Sequence, residues 1–429
     1  MATFNLIRKA RMFFSTNVSQ DTGALKATGF TVANTREIQV LDGLSFSQAT
    51  GSETVTISEA GDAPARGQRS FNTSLEPVEL TFSTYIRPSY YENTATTGAD
   101  SDDYIDAEED VLWNAMFAGA QTDGSDAIGG GNAAWVRTAG NPTGPVLPTS
   151  ILSMTNSGKN QLQKFAVIII LDDLAYVINN CVVDQAVIDF GLDAIATIAW
   201  TVRGSTLKSY SSTEIACGTS TATDTGRNNY KYVTLSGTFF TGTGTTADHK
   251  AARAKNTAAA FLANKVSTVT LYSKIKGATN SGTQYSLALT GGSLTLSNNV
   301  TYLTPANLGV VNQPVTYFTG TRAISGSINC YLKTGSTNSA GLLAQMLTDS
   351  ATTTEPAFEL KLAIGGSGNT NKVEVYLPAT TLTIPAINTE QVISSTINFT
   401  GQGYSGSSGS EAFDFANNEA TIQYFATTT

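Results

Sequence analysis

The side chains best able to do chemistry are few and scattered. The chain has one histidine, His249, next to Lys250 in a polar stretch. A Ser/His/Asp triad would need it as the base, and no serine stands in a G-x-S-x-G elbow. The surroundings describe a surface histidine. The three cysteines, Cys181, Cys217 and Cys330, show no metal-ligand spacing. With a single histidine, that excludes a zinc centre of the usual kind. An odd, dispersed set of this sort predicts buried thiols and a reducing compartment rather than a disulfide frame.

Carboxylates offer little more. Asp100, Asp102 and Asp103 share a polar loop with Tyr90, Tyr91 and Tyr104. They lack the D-x-D-x-D-G spacing and distal Glu of a calcium loop, so a solvated loop is the simpler reading. The tyrosines could stack sugars or serve a protein interface equally well. Asp172–Asp173 reads as a hairpin turn. Gly129–Gly131 and Gly365–Gly368 are not followed by the Lys-Ser/Thr of a phosphate loop. The basic clusters Arg8, Lys9, Arg11 and Lys250, Arg253, Lys255 are not interleaved with aromatics, which argues against single-strand binding. The expectation is a protein that is not an enzyme and carries no cofactor or metal.

What remains is the scaffold. The chain has 429 residues, enough for two or three domains, and 41% apolar residues, enough for a core in each. Only 14% are charged, against about 25% in an average soluble domain. Thr, Ser, Gly and Asn fill the difference, the vocabulary of strands and turns. A neutral polar surface fits one largely covered by neighbouring subunits. The net charge of −9 opposes tight nucleic-acid binding, which rests on Lys and Arg. Neither a secretory signal nor an apolar run of membrane length is found, predicting a protein kept soluble in a cytoplasm until it assembles.

Periodicity predicts a mainly β fold with short helices, and one that occurs twice. Phe165, Val167, Ile169 and Leu171 alternate as a strand face, and Phe358, Leu360, Leu362 and Ile364 do the same at constant offset. Ile188, Ile198, Trp200 and Gly204 match Ile387, Ile397, Phe399 and Gly403; Val78, Phe82, Tyr85 and Arg87 match Ile324, Ile328, Tyr331 and Lys333. A helix with Asp106 as N-cap and Glu109 as capping-box partner carries Leu112, Trp113, Met116 and Phe117 as its stripe. Leu342, Leu343, Met346 and Leu347 repeat that stripe. Residues 1–205 form the first unit, with long loops at 89–106 and 119–160. A linker covers 206–227, and the second unit spans 228–429, where 230–240 mirrors Arg11–Phe14. Glu53–Ser58 is expected to pair back across 48–52, and His249–Lys265 to be helical.

The segment IQVLDGLSFSQATGSETVTISEAGDAPARGQRSFNTSLEPVELTFSTYIRP (Ile38–Pro88) resembles the first half of a bacteriophage tail tube protein. Ala323–Gly403, with ISGSINCYLKTG, FELKLAIGG, VEVYLP and STINFTGQG, resembles the second half. The resemblance implies two tandem β-sandwich or barrel units, each of two packed antiparallel sheets flanked by a helix. In that family rings close through a continuous β-barrel and stack into a tube that double-stranded DNA traverses without specific binding. Two copies per chain imply a ring of three chains with pseudo-sixfold symmetry. The implied partners are further copies, the tape measure, neck or terminator and baseplate or tail-tip proteins, a sheath if the tail contracts, and no membrane. The implied location is the virion tail, assembled in the host cytoplasm. Sliding DNA requires a neutral-to-acidic lumen. The polar sides of the long strands, Glu79, Thr81, Ser83 and Ser325, Ser327, Asn329, are the candidates for it, with a solvent- or sheet-facing role as the alternative. Asp100, Asp102, Asp103, Gly366 and Asn369 are candidates for contacts between rings. A carbohydrate- or receptor-binding tail module, a secretion-device tube and a β-scaffold glycosidase are the competing readings.

Overall fold

A computed structural model describes residues 10–15, 35–63, 65–91, 104–107, 109–117, 135–138, 149–153, 162–171, 174–192, 194–210, 261–274, 282–352, 357–365, 371–385, 387–388, 392–402 and 419–425. The first half supplies β1 (Ala10–Ser15), β2 (Thr35–Ile38), β3 (Ser45–Ser47), β4 (Thr50–Ser58), β5 (Arg66–Leu75), β6 (Val78–Tyr85), β7 (Pro88–Tyr91), β8 (Tyr104–Ala107), α1 (Asp110–Phe117), β9 (Trp135–Thr138), β10 (Thr149–Ser153), β11 (Phe165–Leu171), β12 (Leu174–Asp189), β13 (Thr197–Gly204) and β14 (Thr206–Tyr210). The second supplies β15 (Thr268–Lys274), β16 (Gln284–Ser286), β17 (Ala288–Ser297), β18 (Val300–Leu303), β19 (Thr316–Thr319), β20 (Ala323–Tyr331), α2 (Ser339–Thr352), β21 (Ala357–Ile364), β22 (Lys372–Leu382), β23 (Ile387–Asn388), β24 (Ser394–Gly401) and β25 (Thr421–Phe425).

One set of antiparallel pairings occurs in both halves. β1 pairs β11, β11 pairs β12, and β13 pairs β6. β15 pairs β21, β21 pairs β22, and β20 pairs β24. The partner of β21 is thus Thr268–Lys274; the expected counterpart at 230–240 lies outside the described residues. α2 follows β20 directly, and α1 follows β6 with the β7–β8 hairpin between them.

Two layers enclose one core. The inner sheet runs β3–β6–β13–β12–β17–β20–β24–β22 without a break between the halves. The outer layer is built from β2–β1–β11–β12–β14 in the first half and β16–β15–β21–β22–β25 in the second, the latter extended by β10–β9 of the first half. β12 and β22 are long enough to serve both layers: each pairs outward with its N-terminal part and inward with its C-terminal part. Bulges accompany the change of partner, between Val183 and Gln185 on β12 and between Phe358 and Leu360 opposite β22. Between the layers lie Leu80, Phe82, Trp113, Phe165, Ile169, Trp200, Ile328, Leu360 and Phe399.

Several local expectations differ from the structure. β4 pairs with β5 across residues 59–65, not back across 48–52. Asp106 lies in β8; α1 begins at Asp110, and the Glu109 carbonyl accepts from the Trp113 N–H at 3.1 Å. Every residue from Val111 to Phe117 is buried, so this helix has no polar face and is core throughout. In α2 only Leu342 and Met346 of the matching stripe are buried, and Leu347 is exposed. Thr206–Tyr210, the expected start of a linker, is a strand on β12. Of His249–Lys265 the described part, 261–265, is extended and then a 3-10 turn.

The register also corrects the repeat. Phe82 faces Trp200, whereas Phe399 faces Gly326, so Phe82 corresponds to Gly326 rather than Ile328. A Cβ at 326 would stand 2.4 Å from the Phe399 ring and 2.2 Å from the Ser293 carbonyl. Likewise Ile188 opposes Ile198, but Ile387 opposes Ser395 and not Ile397. Residues 383–386 separate β22 from β23.

Candidate assembly surfaces

The inner sheet has one apolar face and one polar face, because side chains alternate along its strands between the bulges. On β6, Val78, Leu80 and Phe82 point to the core while Glu79 is exposed and Thr81 and Ser83 are half-buried. On β20, Ile324, Ile328 and Cys330 are buried, Ser325 is exposed, and Ser327 and Asn329 are half-buried. These two sets share a face. Cross-strand register carries it from Ser83 through Ala199, Val187 and Thr295 to Ser325, and on to Thr400 and Thr381. A second row reads Thr197, Asp189, Ser293, Ser327 and Asn398.

Electrostatically this face is close to neutral. Hydroxyls and amides hydrogen-bond across it: Ser293 Oγ lies 3.3 Å from Ser327 Oγ, and the Thr396 hydroxyl donates to Asn329 Oδ1 at 2.8 Å. Glu79 stands opposite Arg203. The Arg203 guanidinium also pairs with Asp184, Nε to Oδ2 at 2.8 Å. Among the described residues no group of His, Cys, Asp and Glu is placed to hold a metal ion. Cys181 and Cys330 are buried, and burial pushes both thiols up, away from nucleophilic thiolate. Cys217 and His249 lie outside the described residues, as do Asp100, Asp102, Asp103, Gly366 and Asn369. No described helix is long and apolar enough to cross a membrane.

The two halves meet at a seam between β12 and β17, where Gln185–Asp189 pairs with Ser293–Ser297. The Phe190 N–H donates to the Gly292 carbonyl at 3.0 Å, and the Asn298 N–H to the Asp184 carbonyl at 2.8 Å. Phe190 is 4% exposed. Its ring fills the space a side chain at 292 would need, 2.5 Å from the position of a Cβ there.

The sheet's two ends look like that seam pulled apart. β3 pairs with β6 on one side, and Leu44 and Phe46 are half-buried against the core. Gln48 fixes this edge, donating to the Glu76 carbonyl at 2.9 Å and accepting from the Leu207 N–H at 3.1 Å. At the other end, β22 and β23 pair with β24, and Ile384 and Ile387 are 43% and 44% exposed. Among the described residues neither edge has an outer strand partner. β3 holds the place beside β6 that β17 holds beside β20, and β22–β23 holds the place beside β24 that β12 holds beside β13.

Sequence reasoning found the polar and apolar faces but missed the seam, the paired edges and two hairpins, β4–β5 and β18–β19. The apolar run NLGVVNQPV between β18 and β19 was a readable signal for the second.

No family model matches the chain. Tail tube protein pb6 of Escherichia phage T5 is 26% identical over 404 residues, which span 92% of this chain and 72% of that protein. The match extends through both halves and supports a structural role. A carbohydrate- or receptor-binding module is not favoured.

Proposed function

We propose that this chain is the subunit of a phage tail tube, the role supported by its similarity to a tail tube protein, and that copies join edge to edge through the inner sheet. The observation that carries the reading is the internal seam. The β12–β17 junction pairs two edges, and the chain presents the same two kinds of edge again, unpaired among the described residues, as β22–β23 and β3. Carrying the seam's register over sets Leu382 and Ile384 of one copy against Phe46 and Leu44 of the next. Closure covers the exposed isoleucines and removes the open strands, which otherwise invite uncontrolled pairing.

Residues 1–205 and 228–429 act as two copies of one tube unit, and a ring of three chains then has six units. The polar face, including Glu79, Thr81, Ser83, Ser325, Ser327 and Asn329, lines the channel. Hydroxyls and amides without excess cations give passing double-stranded DNA few counter-charges to hold it. The core face of the same sheet turns outward against α1, α2 and the outer layer. The protein works in the virion tail, with the tape measure and the terminal tail proteins as further partners, and performs no catalysis.

Negative-stain microscopy and sedimentation of the purified chain test the reading. Wild type gives rings or tubes. Ile384→Asp gives a folded monomer with its melting temperature unchanged, because the side chain is exposed in the single chain. Rings formed by Ile384→Asp at wild-type concentration would refute this edge.

A further inference from the structure

The β18–β19 hairpin ends in an apolar knob that is held by hydrogen bonds and covered by none of the described residues. Leu308 is 103% exposed, Val310 62%, Val311 45% and Val315 58%. The base of the hairpin is seated on the first half. The Val300 N–H donates to Asp184 Oδ1 at 2.7 Å, Tyr317 OH to the Leu162 carbonyl at 2.7 Å, and Tyr302 OH to the Arg203 carbonyl at 3.0 Å. Val300 and Tyr302 pack with Leu162 and Val182 in a small core of their own. The tip is also fixed. Asn312 Oδ1 accepts from the Asn307 N–H at 2.8 Å, Gly309 takes φ +86°, and the Asn312 backbone bonds Leu75 at 2.8 Å and Thr73 at 3.1 Å. A pre-ordered apolar projection is a binding element, since its ordering entropy is already spent.

Its counterpart lies at the other end of the same strand. β17 leaves the seam at Asn298, where the hairpin begins, and enters it beside Phe190 and Gly292. Around that entry, Leu192, Ile195, Phe261 and Val266 form a rim exposed by 46%, 43%, 56% and 51%. This rim is also ordered: the Ala196 N–H donates to the Leu262 carbonyl at 2.9 Å, the Asn264 N–H to the Ala194 carbonyl at 3.0 Å, and Phe261 meets Tyr85 edge to face at 5.2 Å. The hairpin in the equivalent place of the first half, β4–β5, is different in kind. It carries Glu53, Arg66, Gln68 and Arg69 on exposed positions, with Val55 and Phe71 as its exposed apolar residues among them.

We propose that the knob Leu308–Val311 of one copy docks on the Leu192–Ile195–Phe261–Val266 rim of a copy in the adjoining ring. The inference rests on the tube reading above. Apolar groups at opposite ends of one strand make a head-to-tail, heterologous contact, the kind that propagates into an open stack. Among the described residues this knob belongs to the second half, and a ring turned by one half-unit would set the more charged β4–β5 hairpin against the Leu192–Ile195–Phe261–Val266 rim. The contact therefore favours a rotation of each ring on the last by whole chains.

The full-length double variant Leu308→Asp/Val310→Asp and the separate rim variant Ile195→Asp are examined by electron microscopy and sedimentation. Both are expected to keep the wild-type melting temperature and form single rings, with tubes lost. Leu308→Lys combined with Ile195→Asp is expected to regain stacking, most strongly at low salt. Tubes of wild-type length from either acidic variant would overturn the docking while leaving the ring reading intact. Absence of rings from wild type would overturn the ring reading, and this inference with it.

Discussion

The Tyr424 hydroxyl donates to Glu109 Oε1 at 2.7 Å across 315 positions of sequence, joining the last described strand to the helix of the first half. The Tyr424 hydroxyl oxygen in turn accepts from Trp113 Nε1 at 2.9 Å, and all three side chains are buried. β25 is thereby fixed where it bridges β10 and β22. Tyr424→Phe removes one donor and one acceptor from this buried set. The expected loss is about 1–3 kcal/mol, read as a lower urea midpoint at unchanged m-value.

Gly292→Ala is expected to cost about 1–3 kcal/mol, because the added carbon would lie 2.3 Å from the Ser327 carbonyl and 2.5 Å from the Phe190 ring. Gly61→Ala is the control, having open space around it. Thermal unfolding of the two variants should differ in this direction, and equal melting temperatures would contradict the close packing at the seam.

Glu374 lies between two lysines, 2.7 Å from Lys372 Nζ and 2.9 Å from Lys361 Nζ. Burial pushes its carboxyl up, but the hydrogen bonds and charges of Lys372 and Lys361 outweigh this and hold it below its ordinary value. A carboxylate depressed in the folded state stabilises above its unfolded pKa, and that contribution disappears as pH falls through the folded value. Glu374→Gln should therefore lower stability by about 2 kcal/mol at neutral pH. The gap from wild type should narrow once pH drops below about 4. Denaturation midpoints measured at both pH values check it.

Thr295 and Ser325 are register partners on the polar face. Thr295→Lys/Ser325→Lys is expected to leave the melting temperature and ring formation unchanged, because both side chains point away from the core. Added cations in the channel would hold phosphates, so genome release from virions carrying the variant should slow, with the delay shrinking as salt rises. Wild-type release at every salt concentration would remove this face from the channel.

The strand faces were legible because alternation is written directly into β6, β20, β21 and β24, whereas β11 is apolar and buried on both faces. Which strand lies beside which was not. Nothing in the residues Gln185–Asp189 names Ser293–Ser297 as their neighbour, since pairing depends on the path of the whole chain. The repeat was visible in element order but misaligned where the halves exchange bulk: Phe82 beside Trp200 became Gly326 beside Phe399, and periodicity does not record which member of a pair is large. Of the expected channel residues, all six lie on one face, a placement that follows from the period of two. The expected ring-contact residues fall outside the described residues. The knob at Leu308 escaped notice because turn-forming Asn and Gly surround it.

Encoding the β12–β17 junction within one polypeptide changes its kinetics as well as its geometry. A tethered partner is present at an effective concentration of about millimolar whatever the dilution, while a separate partner must be found by collision. Newly made chains can therefore complete this junction before they meet one another, even when scarce.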